Sequence, residues 1–180
     1  MKRNIVKIED SFDRVEEYPS VTERYYKRYY YKSGDSACPD HCVLLHSNRI
    51  CLITLSPSHP LIKNKKNVSK LDFQVSDKLD RLENKVVGKA KKGGQYIQPD
   101  SVLCFAECED GEKYPVFGCI SGKLIEINEL LIDDCNLMWK KPETEGYIAI
   151  ILPSKKDFDW KSQNLINSDA YEKIVQSSQS

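Results

Sequence analysis

Apolar residues along this chain fall in short runs separated by turn-forming residues, a spacing that favours strands over long helices. The clearest case is CVLLHSNRICLITL, where apolar runs at 42–46 and 50–55 flank Ser47, Asn48 and Arg49 and predict a hairpin. The next segment, SPSHPLIKNKKNV, is broken by two prolines and a basic loop, and KLDFQV at 70–75 then alternates apolar and polar positions as a half-buried strand does. Residues 75–86 fit either a helical turn or a loop. Two further strands are expected at about 102–108 and 113–119, joined by Asp110-Gly111, a dipeptide that accepts the positive φ of a tight turn. EGYIAIILP, 145–153, is continuously apolar until Pro153 and predicts a core strand. The period changes only near the end, where Ser168 is a candidate N-cap and Ala170, Tyr171, Ile174 and Val175 follow at helical spacing.

The middle of the chain therefore reads as all-β, in a single domain over 21–175. A flexible tail is expected at 1–20, and fraying at 176–180, because both stretches are polar and poor in apolar anchors. Gly88 and Gly122 share an apolar-x-Gly-Lys context, a faint two-fold echo.

Charge narrows the function. The 180 residues carry 27 basic and 27 acidic side chains, so the molecule lacks the positive field that strong nucleic-acid or membrane-surface binding requires. No window approaches the roughly 18 apolar residues of a membrane span, and no targeting signal is readable in MKRNIVKIEDSFDRVEEY. Seven cysteines, an odd number, point to free thiols in the reducing cytosol or nucleus. A soluble protein with no membrane partner is expected.

Catalytic motifs are missing: there is no GxSxG, SxxK, HExxH or GxGxxG. Gly118 to Lys123 imitates a phosphate loop, but it is one residue short between its glycines and has Leu124 where Ser or Thr would hold magnesium. Cys38, His41, Cys42, His46 and Cys51 offer enough ligand types for a tetrahedral zinc ion, yet without CxxC spacing, and Cys42 and Cys51 fall inside predicted strands. No metal and no cofactor are expected. Arg24 to Lys32, RYYKRYYYK, interleaves rings and cations as a base-stacking surface does, but reads more simply as a short helix or extended arm, capped by Ser20 or Thr22, with its rings laid on the domain. Carboxylates gather at Glu107, Glu109, Asp110 and Glu112 and again at Glu126, Glu129, Asp133 and Asp134. Opposing them are two basic turns, Lys63, Lys65 and Lys66, then Lys85, Lys89, Lys91 and Lys92. A neutral chain with segregated charge suits salt-sensitive docking to an acidic protein.

VVGKAKKGGQYI, CISGKLIEINELL, ETEGYIAIILP and NLINSDAYEKI resemble, in order and spacing, the lipoyl-carrying H-protein of the glycine cleavage system. The resemblance implies a mainly β fold, a barrel-sandwich hybrid of the biotinyl/lipoyl hammerhead type with a short C-terminal helix. In that family the lipoylated lysine sits on a hairpin tip about eleven residues before the glycine that matches Gly122. Here the position is Gly111, with Lys113 two residues on and no ESVKA-like surround.

RYYKRYY, CPDHCVLLHSNRICLITLSPSHP, RLENKVVGKAKKGGQYI, ISGKLIEINELL and KPETEGYIAIILP look like the Abitram family, also called Simiate, over nearly the whole ordered chain. This resemblance implies a non-enzymatic protein of nucleus, including nuclear speckles, and cytoplasm that binds monomeric or filamentous actin, modulates transcription with nuclear machinery, and uses an H-protein-like scaffold without the cofactor lysine. It names no actin-binding residues, so the candidates are the lysines of the two basic turns. The alternatives are a lipoyl-type carrier using Lys113 and a small zinc-binding module.

Overall fold

A computed structural model describes residues 18–33, 38–89, 91–154 and 164–177. Most of the expected tail, 1–17, and residues 178–180 lie outside this set.

Helix α1 (Val21–Tyr25) runs directly into strand β1 (Tyr26–Tyr31), followed by β2 (His41–His46), β3 (Cys51–Leu55) and a one-turn helix α2 (Pro60–Lys63). Strands β4 (Val68–Asp72), β5 (Gln74–Ser76), β6 (Leu79–Asp80), β7 (Tyr96–Ile97), β8 (Val102–Cys108), β9 (Lys113–Phe117) and β10 (Gly122–Ile127) come next. Short helices α3 (Leu130–Asp133) and α4 (Leu137–Lys140) precede β11 (Ala149–Leu152), β12 (Ile166–Asn167) and helix α5 (Ser168–Ser177).

These strands make a seven-stranded sheet in the order β12-β1-β2-β3-β11-β10-β7, a three-stranded sheet β4-β8-β9, and the small β5-β6 pair. Period-two alternation divides the side chains between faces. Val43, Cys51, Ile53 and Ile151 from the large sheet meet Leu103, Cys104, Ala106 and Val116 from the three-stranded sheet in one continuous core. Tyr30, Cys42, Leu44 and Tyr171 form a second cluster, where β1 and β2 meet α5.

The predicted hairpin is β2–β3. Its turn closes through Arg49 N–H to His46 O (2.9 Å) and Ile50 N–H to Asn48 Oδ1 (3.0 Å), with Arg49 at φ 74°. The second hairpin, β8–β9, turns at Asp110-Gly111 as expected, and Gly111 takes φ 85°. The segment 70–75 is divided between β4 and β5, and 75–86 is the β5–β6 hairpin and a following turn, with no helix. The aromatic stretch is both of the forms foreseen for it. Ser20 caps α1 in a reciprocal box with Glu23, and Tyr26 then begins a strand paired on both sides, to β2 and β12.

One expectation is displaced by a residue. Asn167, not Ser168, accepts the Ala170 N–H at the start of α5, while the Ser168 hydroxyl turns back to the Arg28 carbonyl. The helix also runs through Gln176 and Ser177, past the boundary set at 175. The Gly88 and Gly122 echo joins unlike places. Gly88 is an open turn at φ 69°, whereas Gly122 is in β10 at a crowded strand contact.

Candidate interaction surfaces

Gly111 occupies the tip of β8–β9, the position at which the H-protein resemblance implies a carrier lysine. Lys113 lies within the strand pair, opposite Glu107. Its ammonium bonds Glu107 Oε1 at 2.8 Å and sits 4.8 Å from the centre of the Phe105 ring. Its pKa is pushed up by that carboxylate. An acyl group on this amine would remove the charge that both contacts use. The residues present therefore do not fit a tip-mounted lipoyl arm.

Lys66, from the first basic turn, docks on the same tip. It reaches Asp110 at 2.7 Å and Glu112 at 2.8 Å and lies over the Tyr114 ring. The two carboxylates hold its ammonium charged well above the ordinary lysine range, and Lys66 in turn lowers both of theirs. So Lys66 is committed to the fold, while Lys63 and Lys65 are exposed and make no ion pair with any described residue.

The second basic turn is built differently. Val87 and Lys92 exchange backbone bonds at 2.9 and 3.0 Å, which throws Gly88 and Lys89 outward. Lys85, Lys89 and Lys92 are exposed and Lys91 half-buried, all without an ion pair among the described residues. Their base is fixed by Asn84, which donates to the Leu124 carbonyl and accepts from the Gln95 N–H, and by Arg81, which donates to the Val102 carbonyl and to Gln95.

Val102 begins β8 and Asp110 follows its end, so the two basic turns stand toward opposite ends of a seven-residue strand. At about 3.3 Å per residue that is roughly 20 Å. The second turn has other company. Register aligns Lys27 with Leu45, Leu45 with Cys51, Cys51 with Ile151, and Leu152 with Lys123. Lys27, the Arg49 turn and Lys123 thus share one end of the large sheet, and Lys123 Nζ bonds the Lys91 carbonyl at 2.9 Å. Glu83, exposed on the adjoining turn, and the half-buried Asp80 at the end of β6 are the nearby acids in sequence. The far end of β10 leads into an acidic cleft of about 500 Å³ lined by Glu126, Glu129, Asp133 and Tyr147. A molecule of zero net charge is polar along its large sheet.

The cysteine and histidine set does not converge, and no group of three or more metal-ligating side chains occurs among the described residues. Strand alternation is the reason. His41 and Cys51 point into the main core, Cys42 points to the α5 side, and His46 ends the strand beside Tyr25 and Tyr26. Burial pushes the thiols of Cys42 and Cys51 up to about 12, as inert packed cysteines require.

The structure assembles two groups that the sequence did not suggest. His41 and His59 are fully buried edge to face, ring centres 5.6 Å apart. His59, in the proline-broken segment SPSHPLIKNKKNV, caps α2 by accepting the Leu61 N–H, ahead of Pro60 at the first helical position. The His-Pro pair was the available signal. Secondly, Tyr171 stacks on Tyr30 at 3.9 Å and its hydroxyl joins Ser58 (2.5 Å) and Asp40 (2.8 Å), pinning α5 to the β1–β2 side.

No helix among the described residues is long and apolar enough to cross a membrane. In comparisons with known proteins, residues 61–178 match the glycine cleavage H-protein family model. A solved glycine cleavage H-protein from Mycobacterium marinum shares the fold with a TM-score of 0.55 at 10% identity, covering 82% of this chain and 96% of that one. The Abitram protein of Xenopus tropicalis is 42% identical over 91% of this chain and 90% of its own, and the Homo sapiens Abitram protein 40% identical over 87% of each. With this identity along nearly its whole length, on an H-protein-like fold whose hairpin tip is a glycine, the chain belongs to the Abitram family.

Proposed function

We propose that this chain is a non-enzymatic adaptor of nucleus and cytoplasm that binds actin and modulates transcription and actin organisation. The family relationship is consistent with this reading, and one observation favours a place for the contact. The Lys85 to Lys92 turn projects lysines that no described carboxylate neutralises, at the cationic end of the large sheet. An acidic actin surface meeting this turn gains association rate and orientation from charge, with apolar neighbours setting specificity. The exposed Lys63 and Lys65 form a separate, weaker contact, and Lys66 contributes through the fold. The carrier reading is set aside because Gly111 replaces the tip lysine and Lys113 is held by Glu107.

The test is charge reversal at Lys89, Lys91 and Lys92 to Glu, read by sedimentation velocity with labelled monomeric actin. Binding is expected to weaken at least tenfold with an unchanged melting temperature, because these side chains are exposed or half-buried and make no ion pair. Equal affinity in wild type and variant would remove this turn from the interface.

A further inference from the structure

The aromatic stretch Arg24 to Lys32 divides into residues the fold uses and residues it does not. Tyr29, Tyr30 and Tyr31 are buried, Arg28 is spent on a two-pronged ion pair with Glu143 at 2.5 and 2.6 Å, and Glu23 is spent on the Ser20 cap. Lys32 faces Asp40 at 3.9 Å, and Tyr26 is half-buried against the Tyr30 and Tyr171 cluster. What remains at the surface is Arg24, Tyr25 and Lys27, with the open side of Tyr26. Tyr25 is 56% exposed, a large ring in water with no structural need to be there. Arg24 and Lys27 are exposed and make no ion pair with a described residue.

These leftovers converge. Together with Leu45 and His46 they line an open cleft of about 520 Å³ at the junction of α1, β1 and the β2–β3 turn. His46 packs against Tyr26 at 5.1 Å and Tyr25 at 6.5 Å between ring centres, so one wall is a set of three rings, while the half-buried Leu45 borders the cleft beside Lys27. Glu23 also lines the cleft, but its carboxylate accepts the Ser20 N–H of the helix cap, so the rim carries two cations without an ion pair beside one engaged carboxylate.

We propose that this cleft binds an extended acidic segment of a partner protein, one apolar or aromatic side chain of which packs against the Tyr25, Tyr26 and His46 rings, with carboxylates on Arg24 and Lys27. Rings that present an anchor site and cations that sort its flanks are the chemistry of a short linear-motif groove. Single-stranded nucleic acid is the less suitable occupant. The rings are tilted by 38° and 60°, leaving no parallel slot for a base, and Arg24 already lies over the Tyr25 ring at 5.5 Å. Two cations also give little phosphate tracking on a chain of zero net charge. The cleft lies four strands along the large sheet from the Lys85 to Lys92 turn, about 19 Å at ordinary strand spacing, so one molecule can hold both partners.

The experiment is two-dimensional NMR of the full chain, titrated with a short synthetic peptide of one phenylalanine flanked by aspartates, and in parallel with a hexauridylate. The peptide is expected to shift Tyr25, Tyr26, Lys27, Leu45 and His46. Its affinity should fall about tenfold in the double variant Tyr25→Ala, Lys27→Glu and stay unchanged in Lys78→Glu, an exposed lysine on the β5–β6 turn. Because the substituted side chains are exposed, the melting temperature serves as the folding control. No shifts at these residues up to millimolar peptide would overturn the proposal, as would tighter binding of the hexauridylate at the same residues.

Discussion

His41 and His59 set the acid limit of the fold. Desolvation lowers His41 to about 4, and desolvation together with the neighbouring His41 lowers His59 to about 3, against an ordinary value near 6.5. Both are neutral when folded and gain protons on unfolding once the pH drops below 6.5. Stability is therefore full above that value and declines as pH falls toward 4 for His41 and 3 for His59. Urea unfolding should show a loss of about 2 kcal/mol for each histidine between pH 7.5 and pH 5. A midpoint that holds steady across that interval would show that the pair is not buried together. Neither role was readable from sequence, since His41 has the side chain of a zinc ligand and His59 stands between prolines in a segment without apolar periodicity. What decided both was tertiary: β2 turns His41 inward, and the α2 turn folds His59 over it. The cysteines were more legible, because Cys42 and Cys51 sat in apolar runs where a thiol packs as a small hydrophobe.

Elements whose residues carry their own signal were read correctly. The β2–β3 and β8–β9 hairpins combine apolar runs with turn-forming residues, Asn48 and Asp110-Gly111 among them; in the first turn it is Arg49, the residue after Asn48, that takes the positive φ. Two-residue strands such as β7 and β12 carry no such pattern and exist because a longer partner, β10 or β1, holds them. The helix start at Asn167 was missed by one position, since Asn and Ser are near-equal caps and only the Arg28 carbonyl drew Ser168 away. The paired glycines separate local shape from local propensity. A Cβ at Gly122 would meet Ile151 Cγ2 and the Leu152 carbonyl oxygen at 2.8 Å each, where β10 crosses closest to β11. A Cβ at Gly88 meets nothing within 4 Å, leaving only the penalty of its positive φ. Gly88→Ala should cost about 1 kcal/mol and Gly122→Ala about 3 kcal/mol or more in chemical denaturation. Equal costs at the two sites would mean that β10 and β11 are not in this register.

At the scale of the molecule, family and fold were visible in sequence while the disposition of charge was not. The two basic turns are near neighbours along the chain, yet β8 carries them to opposite ends and the Asp110 and Glu112 carboxylates claim Lys66. Only the register across the large sheet brings Lys27, Arg49 and Lys123 to the end that holds the Lys85 to Lys92 turn. An interface made of solvated lysines is sensitive to ionic strength, because the screening length falls from about 30 Å at 0.01 M to about 8 Å at 0.15 M salt. The most direct measurement is co-sedimentation of the full chain with actin filaments at these two salt concentrations. Co-pelleting at low salt is expected to weaken severalfold at the higher one. Pelleting unaffected by salt would place the contact on an apolar face, and failure to pellet at either concentration would contradict filament binding through this end of the sheet.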